Sequence, residues 1–185
     1  MTTEQIIQLQ KDVGTDPDGF WGPLSIKACQ RHLQALMPVP SPFPSTSEDA
    51  LQQFYGSVGD ESRLTNLVAP VPMYYEGRRI STIRCHAKIA GSLQRALTAA
   101  YAVAPEVVRV YDGCFNNRPM RGGSRPSLHA RGAAIDLDAE HNMNQQHWPT
   151  SAQMPLAVME CFAREGWLSA GAFWSRDAMH FQATQ

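Results

Sequence analysis

The segment Ser127-Leu128-His129-Ala130-Arg131-Gly132-Ala133-Ala134-Ile135-Asp136 places an imidazole seven residues ahead of a carboxylate. Near the carboxyl end, Asp177-Ala178-Met179-His180 supplies a second imidazole and, three residues before it, another carboxylate. Donors of these types suit Zn²⁺, and two imidazoles with one carboxylate leave a fourth tetrahedral position open to water, as a catalytic site requires. In such a set His129, Asp136 and His180 are the ligands and Asp177 is the spare acid. Taken singly, each has a plainer reading: a histidine beside a strand is commonly a hydrogen-bonded structural residue, and an aspartate at a strand end commonly caps a turn. The order Ser-x-His-x6-Asp with a distal Asp-x-x-His is what separates them from that background. His141 and His147 lie just beyond Asp136 and stand as alternative ligands, whereas His32 and His86 are expected at the surface.

Strands must carry these groups. Residues 133–138, AAIDLD, alternate so that Ala134, Asp136 and Asp138 share one face and Ala133, Ile135 and Leu137 the other, which predicts a strand with chemistry on one side and core on the other. Residues 178–182, AMHFQ, predict a last strand with Met179 and Phe181 on one face and His180 and Gln182 on the other. Ile89, Leu93, Leu97 and Ala100 trace a helix that ends by Pro105, and Val107 to Tyr111 alternate as a short strand before an Asp112-Gly113 turn. Pro155 opens a helix through Leu156, Met159 and Phe162 that Gly166 closes. Strands and helices without a regular βαβ rhythm give an α+β fold: a small antiparallel sheet with flanking helices holding a zinc site.

Ahead of this lies a different composition. Thr2 and Gln5 have capping-box spacing, and Ile6, Leu9 and Val13 recur at helical intervals. A turn at Asp16 to Gly19 leads to Pro23, which suits a first helical position, and Leu24, Ala28, His32 or Leu33, and Leu36 stripe a second helix. Residues 37–47, MPVPSPFPSTS, alternate proline with other residues and so lose both helix and ladder hydrogen bonds. In polyproline form, at about 3.1 Å per residue, this segment reaches roughly 30 Å, enough to hold a small module clear of a larger one. The division expected is a helical module at 1–36, a linker at 37–47 and the chemistry-bearing domain at 48–185.

The 185 residues and 20.5 kDa fit one ordinary domain with a small appendage. No apolar run approaches the ~18 to 20 residues of a membrane-spanning helix, and the amino terminus MTTEQIIQLQKD has no signal-peptide character. Cys29, Cys85, Cys114 and Cys161 form no CxxC pair, which leaves reduced, partly buried thiols. A net charge of −1 gives no global attraction to nucleic acid, although ten cationic residues lie between Arg78 and Arg131 against only Glu106 and Asp112. That stretch is either a solvated face or a partner for carboxylates and phosphates.

Two resemblances sharpen the reading. DGFWGPLSIKACQRHLQ, residues 18–34, resembles the DG-x-x-G-P-[TS] segment and following helix of the peptidoglycan-binding domain of cell-wall hydrolases, here as a single half-repeat with Ser25 one place late. Residues 127–136 resemble the signature S-x-H-x-x-G-x-A-x-D of the M15 zinc peptidases, the family of D-alanyl-D-alanine carboxypeptidases and phage-type L-alanyl-D-glutamate endopeptidases. Gly113 to Pro119 lead in, and Trp174-Ser175-Arg176-Asp177-Ala178-Met179-His180-Phe181 closes the domain as that family does, so that the resemblance covers most of residues 80–182.

By that resemblance His129, Asp136 and His180 bind zinc and Asp177 is the general base, at a position where many relatives carry Glu. Zinc would polarise the scissile carbonyl and activate a water whose proton Asp177 takes and passes to the leaving amine. Arg118 is the expected clamp for a substrate carboxylate, Arg121, Arg125 and Arg131 are weaker candidates, and Ser127 supports the site without direct chemistry. The arrangement resembles a modular phage endolysin, made in the host cytoplasm and acting on peptidoglycan after the membrane is breached, as a monomer and with no nucleic-acid partner. The leading expectation is cleavage between L-alanine and D-glutamate of the stem peptide. Its rivals are removal of terminal D-alanine and a zinc-stabilised protein that binds the wall without cutting it.

Overall fold

A computed structural model describes residues 1–119 and 125–185 of the chain. Helix α1 (Thr3–Asp12) begins with the capping box: Thr2 Oγ1 accepts from Gln5 N, and the Gln5 side chain accepts from Thr2 N at 2.8 Å. Helix α2 (Pro23–Leu36) starts on Pro23 and turns Ala28, Cys29 and Leu33 inward. Helix α3 (Glu48–Tyr55), which the sequence pattern did not announce, is capped by Ser47 Oγ on Ala50 N.

Next comes a long hairpin, β1 (Leu64–Tyr75) against β2 (Arg78–His86). Glu76 and Gly77 form its two-residue turn with φ of 47° and 76°, the double positive φ that matches the twist of the flanking strands. The register slips between Val68 and Met73, where Pro70 and Pro72 withhold ladder donors. Helix α4 (Ala90–Val103) buries Leu93, Ala96, Leu97 and Ala100 completely.

Residues 107–111 do not form the expected strand. Pro105 takes the first position of a helical turn, α5 (Pro105–Val108), so Val107 and Val108 point to the core from a helix, and strand β3 begins only at Tyr111–Gly113. Alternation over so few residues does not distinguish the two periods.

The second sheet runs in the order β3, β4 (Ala134–Leu137), β6 (His180–Gln182), β5 (Leu168–Ser169), all antiparallel. Helix α6 (Leu156–Arg164) precedes β5, and the short α7 (Ala170–Trp174) leads into the loop before β6. Mixed helices and small antiparallel sheets are thus the architecture, and among the described residues no helix is long and apolar enough to cross a membrane.

The proline-rich segment does not hold the amino-terminal helices clear of the rest. Phe43 is buried edge-on to Trp167 at 5.9 Å, and Gln185 N donates to Pro44 O. Leu9, Val13, Leu33 and Phe43 join Leu97, Phe162, Trp167 and Phe181 in a single hydrophobic cluster. Burying one aromatic ring in an otherwise donor-poor segment outweighs the extended preference of its prolines.

Candidate metal centre and cleft

His129 sits in a tight turn, Leu128–Arg131, that Ser127 Oγ caps by accepting from His129 N. Gly132 ends that turn with φ of 63°, and a Cβ there would lie 2.8 Å from His86 N, so the backbone passes the end of β2 at glycine-only distance. The His129 Nδ1–H donates to Cys114 O at 2.6 Å, which leaves Nε2 as the lone-pair nitrogen.

Asp136 on β4 lies opposite His180 on β6, and His180 Nδ1 approaches Asp136 Oδ1 to 3.0 Å. His129 Nε2 is 3.2 Å from that oxygen and 3.1 Å from His180 Nδ1. Three donors bound tetrahedrally at ~2.0 to 2.1 Å would stand about 3.3 to 3.4 Å apart, close to these separations. Each residue offers one ligand atom to a common point, and the set could hold a metal ion.

The electrostatics favour the same assembly. Burial works against the Asp136 carboxylate, but its close contacts with the His129 and His180 rings outweigh it and hold the group well below the usual carboxylate range. Burial likewise opposes a charge on His180, yet its hydrogen bond to Asp136 and the charges of Asp136 and Asp177 raise its pKa. On the outer side, His180 Nε2 faces Gln182 Oε1 at 3.3 Å, and Gln182 Nε2 donates to Thr184 Oγ1. Gln182 had no part in the sequence-based set, although the alternation of AMHFQ already put it on the His180 face.

The cluster lies in a cleft of about 1280 Å³. Asp177 lines this cleft, half-buried, with a left-handed backbone (φ 59°) and its carbonyl accepting from His180 N at 2.9 Å. Arg118 and Arg125 supply positive charge to the lining. Arg131 does not: its guanidinium is buried, donating to Gly56 O and pairing with Glu48. Arg121 lies outside the described residues.

Neither alternative histidine joins the cluster. His141 Nδ1 bonds Asp138 at 2.7 Å, and His147 Nδ1 bonds Ser175 O. His86 is not at the surface but 3% exposed, its Nε2–H donating to Tyr55 O, and burial lowers its pKa. Of the tryptophans, Trp148 and Trp167 pack the core, whereas Trp174 is 46% exposed on the cleft wall with its ring 6.4 Å from that of His180. The four cysteines are free thiols, three of them buried, and burial pushes Cys29 up to about 12 and Cys85 to about 11.

No curated protein and no solved structure matches the chain. Residues 121–183, about a third of its length, match the family model described as D-alanyl-D-alanine carboxypeptidase, an M15 peptidase family. The matched stretch contains His129, Asp136, Asp177 and His180, so the part of the chain that carries the candidate metal ligands is similar to a peptidase of that family, while Glu48, Leu51 and Arg118 of the cleft lining lie outside it.

Proposed function

We propose that the chain is a zinc-dependent peptidoglycan peptidase that cuts the stem peptide as an L-alanyl-D-glutamate endopeptidase. The observation that carries this reading is the convergence of His129, Asp136 and His180 on one point in an open cleft whose wall holds Asp177. Zinc held by the three side chains would polarise the scissile carbonyl and lower the pKa of a water molecule toward ~7.

The rest is done by the chain itself. His129 is aimed by the Cys114 carbonyl, and Asp136 and His180 are aimed by the register of β4 and β6. Asp177 takes the proton of the attacking water on a carboxylate oxygen and delivers it to the leaving amine. Arg118 and Arg125 bind a substrate carboxylate, for which a guanidinium fork is the geometric match. Stem peptides carry such groups at D-glutamate, and a cleft of about 1280 Å³ supports a peptide that continues beyond the scissile bond. The peptidoglycan-binding resemblance of residues 18–34 supports the wall as the partner and a lytic, phage-type enzyme as the context.

A second reading, removal of terminal D-alanine, is favoured by the description of the matching family. Mass spectrometry of peptidoglycan digested by the zinc-loaded protein, with a chelated control, separates the two. New L-alanine carboxyl and D-glutamate amino ends establish the endopeptidase, free D-alanine establishes the carboxypeptidase, and an untouched wall overturns both.

A further inference from the structure

The amino-terminal helices make contacts that wall binding does not require. Gln30, on the inward side of α2, donates its Nε2–H groups to Ala172 O at 3.2 Å and to Phe173 O at 3.3 Å. Those carbonyls belong to the last turn of α7, where a helix has no intrahelical partners for its C=O groups. Gln30 thus caps α7 from another element, 142 residues away in sequence.

Directly after α7 comes the loop that carries the spare acid. Ser175 and Asp177 both adopt left-handed backbone, at φ of 58° and 59°, a conformation disfavoured for residues with a Cβ and kept only where the surroundings enforce it. The far side of this loop is held by residues 147–148: Trp148 N and His147 Nδ1 both bond Ser175 O, at 3.1 and 3.2 Å. That support in turn rests on the amino-terminal segment, since the Trp21 ring packs edge-on against Trp148 with centroids 5.4 Å apart. Two separate contacts from residues 1–36 therefore reach the supports of Ser175–Asp177: Gln30 bonds the end of α7 that precedes the loop, and Trp21 packs on the Trp148 that bonds Ser175 O.

We propose that the amino-terminal helical pair is a brace for the catalytic loop, with Gln30 and Trp21 as positioning residues that set where the Asp177 carboxylate stands relative to the metal cluster. The inference rests on the peptidase reading for its functional meaning and on hydrogen bonds and packing for its substance. Gln30→Glu keeps the shape and removes the donors; Gln30→Lys restores a donor of similar reach.

The test is hydrogen exchange of the full-length zinc-loaded protein, combined with kinetics on wall fragments. Gln30→Glu should speed exchange of the amides of residues 175–180 by about five- to tenfold while the rest of the chain is unchanged, and Gln30→Lys should return it toward the parent rate. Trp21→Ala should loosen the same loop through Trp148. On substrate, Gln30→Glu should lower kcat about tenfold with KM and bound zinc unchanged, because the acid is misplaced and the ligands are not. Unchanged loop exchange in both variants, or faster exchange spread evenly over the chain, overturns the brace. A parent protein that leaves wall fragments uncut overturns the peptidase reading instead, and the exchange measurement then still decides the brace.

Discussion

Asp136 Oδ1 and His180 Nδ1 stand 3.0 Å apart because their residues are directly opposed on antiparallel strands β4 and β6. The pairing of two short strands thus sets the spacing of two of the candidate ligands, and the third candidate, His129, is brought to them by a loop anchored on a main-chain carbonyl. Replacing His180 or His129 by alanine should abolish stoichiometric zinc, measured by elemental analysis, and activity with it. His141→Ala should leave zinc content unchanged, since His141 is engaged with Asp138 away from the cluster.

Metal removal should change how stability depends on pH. Without metal, Asp136 has a folded pKa below its ordinary 3.8, so its contribution is present above that value and is lost as pH falls through the depressed pKa. His180 has a folded pKa above its ordinary 6.5, so its contribution is complete below 6.5 and is lost as pH rises through the raised pKa. The chelated protein should therefore be most stable between about pH 4 and 6.5 and should lose Tm on the alkaline side. Zinc needs both imidazoles deprotonated, so the Tm gain on adding zinc should grow over the same rise in pH. Calorimetric scans of chelated and loaded protein check both trends, and parallel profiles would refute them.

Asp177→Asn should keep zinc and lose roughly 10² to 10⁴-fold in kcat, the usual cost of a missing general base. Elemental analysis beside turnover on wall fragments gives the answer. Loss of zinc in this variant would make Asp177 part of the metal site instead.

Arg131 is a buried cation whose partner Glu48 is itself 62% exposed at its side chain. Glu48→Gln should cost about 1 kcal/mol, less than breaking a fully buried pair, because solvent reaches the glutamate side. Arg131→Met removes the charge altogether and, despite the lost bond to Gly56 O, should be tolerated about as well. Urea unfolding of the two variants measures the difference.

Leu33→Ala should destabilise the whole chain by about 2 to 5 kcal/mol, since Leu33 has no exposure and shares its cluster with Phe162 and Trp167. A single cooperative transition shifted to lower temperature is expected. A separate early transition of the amino-terminal helices would show that the shared core does not couple them.

Where one short-range rule dominated, the fold was readable in the sequence. Thr2 with Gln5 and Pro23 at a first helical turn each mark a helix start by chemistry confined to a few residues, and the alternations of AAIDLD and AMHFQ put Asp136 and His180 on faces that do meet, although the last strand is only His180–Gln182, with Ala178 and Met179 in the turn before it. The β1–β2 hairpin escaped because Pro70 and Pro72 interrupt the alternation where the ladder slips, leaving Glu76-Gly77 as its clearest mark. Val107 to Tyr111 misled because four or five residues fit either period, and the proline of Pro105 began a helix as readily as it ended one. The packing of Phe43 and the buried state of His86 depend on partners distant in sequence, Trp167 for the ring and the Tyr55 carbonyl for the imidazole, which no local pattern encodes. For the candidate site, residue types were legible at His129, Asp136, Asp177 and His180, and Gln182 already shared the His180 face by alternation, whereas the exposure of Trp174 emerges only from tertiary placement.

The orientation of His129 depends on Cys114 through its backbone carbonyl, not its thiol. A systematic alanine scan would be blind to that dependence: replacing Cys114 leaves the carbonyl in place and registers the lost thiol contact with Gly132 O and the small void where a buried sulfur had been. Position 114 would then score as a packing residue, and a library tolerant of Ser or Ala there would suggest that nothing around the imidazole is constrained. The constraint is carried by the path of the chain at Gly113–Phe115, so it would surface only in insertions, deletions or a proline placed beside it.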